Sequence, residues 1–301
     1  MTDKKTCRIC ASERTLPTIR FNDWQVYRCS DCGFRFAEDG QPIVYEDHYD
    51  EDYFAPLMQR DQMDKWSRIY SDRLSFLRQN APSDRLLEAG AGASTFALNA
   101  VDKGFQVTVA DAAPWAVDFL SSHDGVTGQL VDLNQCEFPE QQYGAIHCSH
   151  VLEHLREPRQ FLEQCLNTLQ PGGLMYLSFP AYEGSVLGFR DGLYRLGLAN
   201  HPYNYQAPDH LSYFDATCIR ATLEQVGFEV VRLRRIKFVS VRDTAERMDN
   251  SGLLRKMARL AATATSPITR RVGFHRDLEI IVRRPVDQST AQVEPSLRRA
   301  A

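Results

Sequence analysis

Arg85-Leu86-Leu87-Glu88-Ala89-Gly90-Ala91-Gly92-Ala93-Ser94-Thr95 decides the fold. A short apolar run with the character of a buried strand stops in a small-residue turn, and a helical pattern starts beyond it. Such a turn leaves backbone N–H groups free and lets a ligand come close to the main chain. Glycine is needed where a Cβ would block the tight turn or the approaching ligand. A nucleotide-like cofactor is therefore expected at Gly90-Ala91-Gly92.

Outward from this turn, strand and helix patterns alternate. Strands are expected at Leu86–Ala89, Gln106–Ala110, Gly128–Val131, Ala145–Cys148, Leu174–Phe179, Phe228–Leu233 and Asp277–Arg283. Helices are expected at Ser94–Lys103, Trp115–Ser122, Pro158–Leu169 (closed by Pro171-Gly172-Gly173) and Ala216–Val226 (ended by Gly227). A further helix from about Leu57 to Gln79 carries Trp66, Ile69, Tyr70, Leu74 and Leu77 at helical spacing and stops before Pro82. The alternation predicts an α/β fold, a Rossmann-like, mostly parallel seven-stranded sheet with helices on both faces. Ligands in such sheets sit beyond the carboxyl ends of the strands.

The acids at those ends choose the ligand. The turn lacks the third glycine of a dinucleotide fingerprint and the Lys-Ser/Thr pair of a phosphate loop. Glu88 would repel a pyrophosphate but attract an amino group or a sulfonium centre. Asp111 closes the second strand, where a carboxylate can accept ribose hydroxyls, and Asp132 closes the third, within reach of an adenine. Three acids at successive strand ends suit a cationic, adenosine-bearing ligand.

These residues resemble the class I S-adenosylmethionine-dependent methyltransferases. Glu88-x-Gly90-x-Gly92 is similar to their first motif, Asp111 to their ribose-binding acid and Asp132-Leu133 to their adenine-binding pair. His147-Cys148-Ser149-His150-Val151-Leu152-Glu153-His154-Leu155 resembles the fourth-strand segment that often reads V-L-E-H, and Leu169-Gln170-Pro171-Gly172-Gly173-Leu174 the L-x-P-G-G turn. The matches span about residues 85–235. The resemblance implies S-adenosyl-L-methionine as cofactor, held by Glu88, Ala89, Gly90, Gly92, Asp111, Ala112, Asp132, Leu133, Ser149 and Tyr53. Tyr53 belongs to an aromatic, acidic segment with Tyr45 and Tyr49 that either folds over the cofactor, where a tyrosine face suits a sulfonium, or packs between the N-terminal part and the main domain.

Cys7, Cys10, Cys29 and Cys32 form two C-x-x-C pairs, the spacing of a zinc ribbon with a closed four-thiolate site. Strands are expected at Thr18–Phe21 and Gln25–Arg28 around a turn at Asn22-Asp23. A structural Zn2+ is favoured over a redox dithiol or disulfides, because two matched pairs are unusual for a redox motif and a reducing compartment disfavours disulfides. Cys136, Cys148, Cys165 and Cys218 sit among apolar neighbours and read as core. The expected organisation is a ribbon over 1–40, a methyltransferase domain over 41–285 and a disordered tail over 286–301. Within the domain lie an acceptor lid at about 181–215 and a helical insertion at about 239–273.

A ribbon, a Tyr/Phe-rich entry, this domain and Pro208-Asp209-His210-Leu211-Ser212-Tyr213-Phe214 together resemble a bacterial group that includes deoxysugar and secondary-metabolite methyltransferases. Many members have glycine at Ala93. The long C-terminal domain of the sugar C-methyltransferases has no counterpart, which turns the expectation toward oxygen. In the lid, with Phe189, Tyr194, Tyr203, Tyr205, Tyr213, Phe214 and His201, the pair Asp209-His210 resembles the acid-histidine pair that the group places near its acceptor. His210 is thus the first candidate for general base and His150 the second; a purely structural histidine remains the alternative. His150, Glu153 and His154 fall at i, i+3 and i+4 and on a helix would share a face. The quinone-pathway O-methyltransferases place an E-x-x-E-H metal site there. Capping and packing of a helix start is the favoured reading, with His150 standing where the first glutamate would be.

Bulk properties bound the rest. The chain has 301 residues, 43% hydrophobic and 25% charged, with net charge −4, as in soluble globular proteins. No apolar run long enough to span a membrane and no apolar signal core are present, so a cytoplasmic protein without a membrane span is expected. Charge is uneven: +3 over residues 1–36, −16 over 37–230 and +9 over 231–301. The acidic middle speaks against nucleic acid as partner. The expected partner is a small-molecule acceptor, most simply a sugar or secondary-metabolite oxygen, and the chain a monomer or homodimer. An RNA methyltransferase gripping through the ribbon and basic end, and a non-catalytic binding module, are the competing readings.

Overall fold

The computed structural model describes residues 5–41, 52, 55, 60–92, 95–183, 191–197, 202, 205–237 and 276–286. The aromatic positions Tyr45, Tyr49, Tyr53, Phe189 and Tyr203, His201, Ala93 and Ser94, the expected helical insertion and the tail beyond Val286 lie outside them.

Seven strands form the main sheet: β4 (Arg85–Ala89), β5 (Gln106–Asp111), β6 (Val126–Leu130), β7 (Tyr143–Ser149), β8 (Leu169–Pro180), β10 (Glu229–Lys237) and β11 (Arg276–Arg283), in the order β10-β11-β8-β7-β4-β5-β6. Strands β4 to β8 pair in parallel, and β11 runs antiparallel to both β8 and β10. Leu86 and Leu87 are both fully buried because successive side chains point to opposite faces, each covered by helices. One face packs on Tyr70, Leu74 and Leu77 of α1 (Arg60–Asn80), Phe96 and Ala100 of α2 (Phe96–Asp102) and Leu120 of α3 (Pro114–Ser121). The other packs on Phe161 and Leu162 of α4 (Pro158–Thr168) and Ile219 and Leu223 of α5 (Ala216–Val226). Each such Leu, Ile or Phe side chain contributes about 1.5–3 kcal/mol by leaving water. Cys136, Cys148, Cys165 and Cys218 are all buried in this second layer.

Helix α5 starts and stops where the sequence says. Asp215 caps it by accepting the Cys218 N–H, and Gly227 ends it at φ 114°, left-handed backbone that glycine adopts without strain. The L-x-P-G-G stretch differs from expectation. It does not close α4 but lies inside β8, as an irregularity between the Tyr143–Leu169 and Ala145–Leu174 pairings. A Cβ on Gly173 would stand 2.8 Å from the Gln170 carbonyl oxygen, so the chain folds back on itself there.

The N-terminal part forms a second, antiparallel sheet: β1 (Thr15–Phe21), β2 (Trp24–Cys29), β3 (Arg35–Glu38) and β9 (Ser212–Tyr213), in that order. The first two strands and their turn match the sequence reading, with Asn22 at φ 48°. β9 was not expected. It comes from the acceptor connection, two residues after His210. Its Ser212 and Tyr213 pair with Phe36 and Arg35.

Candidate functional site

The strand order reverses between β4 and β7, which marks a crevice at their carboxyl ends. Gly90 there takes φ 71° and Gly92 φ 52°, and the Gly90 N–H donates to the Ala110 carbonyl at 2.7 Å. A Cβ on Gly90 would lie 2.2 Å from Val151 Cγ2. This glycine is therefore demanded by the chain that follows β7 as well as by any ligand.

The acids expected to bind the cofactor line this edge. Glu88, 2% exposed, has His147 Nδ1 at 3.3 Å from its Oε1. Burial, reinforced by the Arg73 charge, pushes His147 well below the usual histidine range; the ring is neutral, stacks on Phe96 at 3.5 Å and donates Nδ1–H to the carboxylate. Asp111 ends β5 and accepts from two backbone donors, Gly92 N–H on Oδ2 and Ala113 N–H on Oδ1, both at 2.8 Å. Burial raises its carboxyl, opposed by these bonds. One acid thus ties the glycine turn of β4 to the end of β5. Asp132 is exposed, two residues past β6, and accepts from Asn134 N–H at 2.9 Å. Ala89 and Leu133 are buried, while Ala112 and Ser149 are half-buried at the same edge. This donor set fits a cationic adenosine ligand, with carboxylates at the ends of adjacent strands around a small-residue turn, but the N–H groups of Gly90 and Gly92, expected to be free, are taken by Ala110 and Asp111.

Beyond β7 lies a partly buried ionic cluster. His150 takes φ 56° and hangs from the Ser178 carbonyl through its N–H (2.7 Å). Its Nδ1 is 3.3 Å from Glu153 Oε1 and its Nε2 3.4 Å from Asp277 Oδ2. Burial disfavours its charge, but the two carboxylates outweigh that and raise it to about 10. Glu153, 1% exposed, is lowered to about 2: burial would raise it, and the bond to His150 with the charges of His154 and His210 prevails. His154 Nδ1 lies 2.7 Å from the Asp209 carbonyl oxygen, and the His154 and His210 rings meet edge to face at 4.9 Å. Burial is the main force holding His210 low, at about 4, and its Nδ1 is buried without a hydrogen-bond partner among the described residues. The Glu153 backbone carbonyl accepts both Leu211 N–H and Ser212 N–H. The turn after β7 and the segment carrying His210 are therefore one unit.

Residues 152–154 form a turn, and α4 begins only at Pro158 with Glu157 at its N-cap. Glu153 and His154 consequently cap no helix. Donor atoms of Glu153, His154 and His210 all lie within 4.8 Å of one another, so the three could hold a metal ion. Asp277 was missed by sequence reasoning. The signal was there: β11 carries Asp277 and Glu279 on one face, alternating with Leu278 and Ile280, both acids at most 5% exposed, and such acids are buried only with partners.

At the N-terminus Cys7, Cys10, Cys29 and Cys32 converge, with donor atoms within 4.8 Å of one another. Sγ of Cys7 and Cys32 are 3.6 Å apart, as are those of Cys10 and Cys29. Four sulfurs at roughly 2.3 Å from a tetrahedral zinc ion would be about 3.8 Å apart, so the donor set fits that metal.

A family described as a methyltransferase domain matches residues 58–233. The chain is a class I S-adenosylmethionine-dependent methyltransferase. Over 166 residues the methyltransferase is 29% identical to a ubiquinone biosynthesis O-methyltransferase of Aromatoleum aromaticum, covering 50% of this chain and 70% of that one. Against the protein of the same name from Shewanella halifaxensis it is 27% identical, and spans 62% of that chain. Its fold is shared with a phosphoethanolamine N-methyltransferase of Haemonchus contortus in complex with S-adenosyl-L-methionine (TM-score 0.51, 12% identity, covering 89% of this chain and 70% of that one). Among the described residues no helix is long and apolar enough to cross a membrane.

Proposed function

We propose that this methyltransferase methylates an oxygen of a small molecule, a hydroxyl on a sugar or secondary-metabolite scaffold, with His210 as general base and a structural zinc ion on Cys7, Cys10, Cys29 and Cys32. The cofactor supplies a methyl group already activated on a sulfonium centre, so the protein has to orient the acceptor and take its proton. His210 is suited to that task. It is neutral near pH 7, its buried Nδ1 is unpartnered among the described residues, and the Glu153 carboxylate beside it would stabilise the imidazolium that forms. His150 is not, because two carboxylates already hold a proton on it; it serves as the fixed cation that keeps Glu153 ionised. Glu88, Asp111, Asp132 and the Gly90–Gly92 turn bind the cofactor in this reading, with Ala89, Ala112, Leu133 and Ser149 shaping the edge. The relatives named O-methyltransferases support oxygen as the acceptor atom.

The orphaned imidazole nitrogen of His210 carries the base assignment. His210→Ala should lower kcat by about 10²–10⁴ and leave S-adenosylhomocysteine affinity within about twofold, measured by turnover on hydroxylated acceptor pools and by calorimetry. Retained turnover would remove His210 from the chemistry. A second reading rests on the proximity of Glu153, His154 and His210, in which the three hold a divalent ion that lowers the acceptor hydroxyl pKa. It predicts a metal equivalent that survives disruption of the four-cysteine cluster.

A further inference from the structure

We infer that metal occupancy of the four-cysteine cluster sets the order of the segment that carries His210, so that the N-terminal sheet is a positioning device for the acceptor side of the site. The inference rests on the reading of His210 as an acceptor-side group, and its structural half can be measured without any acceptor.

Both ends of the connection are visible. At the cluster, the two knuckles are fixed to the helical layer: Arg159 of α4 donates to the Ile9 carbonyl at 3.0 Å, and Cys32 packs against the buried cluster that holds Cys218 of α5. β2 ends on Cys29, and Cys29 N–H donates to the Phe34 carbonyl at 2.8 Å, so the second knuckle leads straight into β3. At the other end, Ala37 N–H donates to the Leu211 carbonyl at 2.9 Å, and β3 pairs with β9. Tyr194 O–H and Arg195 reach the carbonyls of Arg20 and Thr18 on β1. Tyr205, Leu211 and Tyr213 share one buried cluster with Ile19, Phe21, Trp24 and Val26. The backbone on either side of His210 is therefore held between the turn after β7 and a sheet whose own core is small. A segment of this size depends on its metal for a fixed fold. The cofactor edge at β4 to β6 makes none of these contacts and should be indifferent to the metal.

Hydrogen exchange on the intact protein, purified with zinc, tests this against the same protein stripped by a chelator under reducing conditions and against Cys10→Ser. Exchange over residues 205–214 should rise at least about tenfold on metal loss, with residues 106–130 unchanged and S-adenosylhomocysteine affinity within about twofold. Ala37→Pro separates the coupling from loss of the fold: it removes the N–H that Leu211 accepts while leaving the four thiols in place. It should bind zinc at full stoichiometry and show the same rise over 205–214. The inference is overturned if metal loss raises exchange only over residues 5–38, if 106–130 opens to the same extent, or if Ala37→Pro keeps 205–214 protected. If the exchange results hold and His210→Ala still turns over, the coupling stands and the base assignment alone fails.

Discussion

Gly90→Ala separates two reasons for a glycine at the same position. In the first, a Cβ would block the cofactor, and the substitution would lower affinity with little effect on stability. In the structure, the Cβ meets Val151 Cγ2 at 2.2 Å, Cγ1 at 3.2 Å and Cβ at 3.3 Å, on backbone at φ 71°. Left-handed backbone costs alanine about 1–2 kcal/mol, and displacing a side chain in a packed interior adds about 1–3 kcal/mol, for a total of about 2–5 kcal/mol. Val151 is 7% exposed; Val151→Ala removes both Cγ atoms and by itself costs about 1–3 kcal/mol as a cavity. In that background only the backbone penalty should remain, so Gly90→Ala should cost about 1–2 kcal/mol and the cycle should show a coupling of about 1–3 kcal/mol. Urea unfolding of the four proteins, with S-adenosylhomocysteine titrations alongside, reads both quantities. Equal costs in both backgrounds, or normal stability with lost affinity, would refute the steric account.

Asp111→Ala removes the acceptor of two backbone N–H bonds at the glycine turn; at about 1.5–3 kcal/mol each for a charged acceptor, it should lower cofactor affinity more than tenfold by calorimetry, and an unchanged affinity would place the cofactor elsewhere. His150 is raised from 6.5 to about 10, so its contribution to stability is complete below pH 6.5 and lost as pH rises through 10. Glu153, lowered from 4.5 to about 2, contributes fully above pH 4.5 and loses its effect as pH falls through 2. The stability difference between the wild type and His150→Gln should accordingly shrink between pH 6.5 and 10, and a constant difference would show that the histidine is not charged. His210 has the opposite dependence: neutral in the fold down to about pH 4, it makes stability fall as pH drops from 6.5 toward 4, a slope that His210→Ala should flatten.

What the sequence made legible was local. The boundaries of α5 follow from Asp215 and Gly227, each of which acts on its own neighbours. The acids at the ends of β4 and β5 and the glycine turn were readable because strand, turn and helix are contiguous there. The cysteine cluster was readable because two short knuckles bring their own ligands. Nonlocal partners were not readable. Nothing near His150 announces that Asp277, from a strand at the far end of the chain, will meet it, or that Ser212 and Tyr213 will extend a sheet built from residues 15–38. The capping of a helix start expected of Glu153 and His154 failed for a similar reason. Arg156 N–H and Glu157 N–H donate to the Asn134 side chain, and the Glu153 carbonyl is used by Leu211 and Ser212, so distant groups take the hydrogen bonds an early helix would need.

The placement of β11 also orders events during synthesis. It lies between β8 and β10, pairing Leu174 with Arg283 on one side and Glu229 with Arg283 on the other. Until residue 283 has left the ribosome, β8 presents an open edge, β10 has no neighbour to join it to the sheet, and His150 and Arg73 wait for the carboxylates of Asp277 and Glu279. Long-range pairing of this kind is slow and exposes unpaired edges in the meantime. A nascent chain arrested before β11 should therefore hold the β4 to β6 edge as a partly folded intermediate and be a client for chaperones, while β11 acts as the latch that commits the whole sheet.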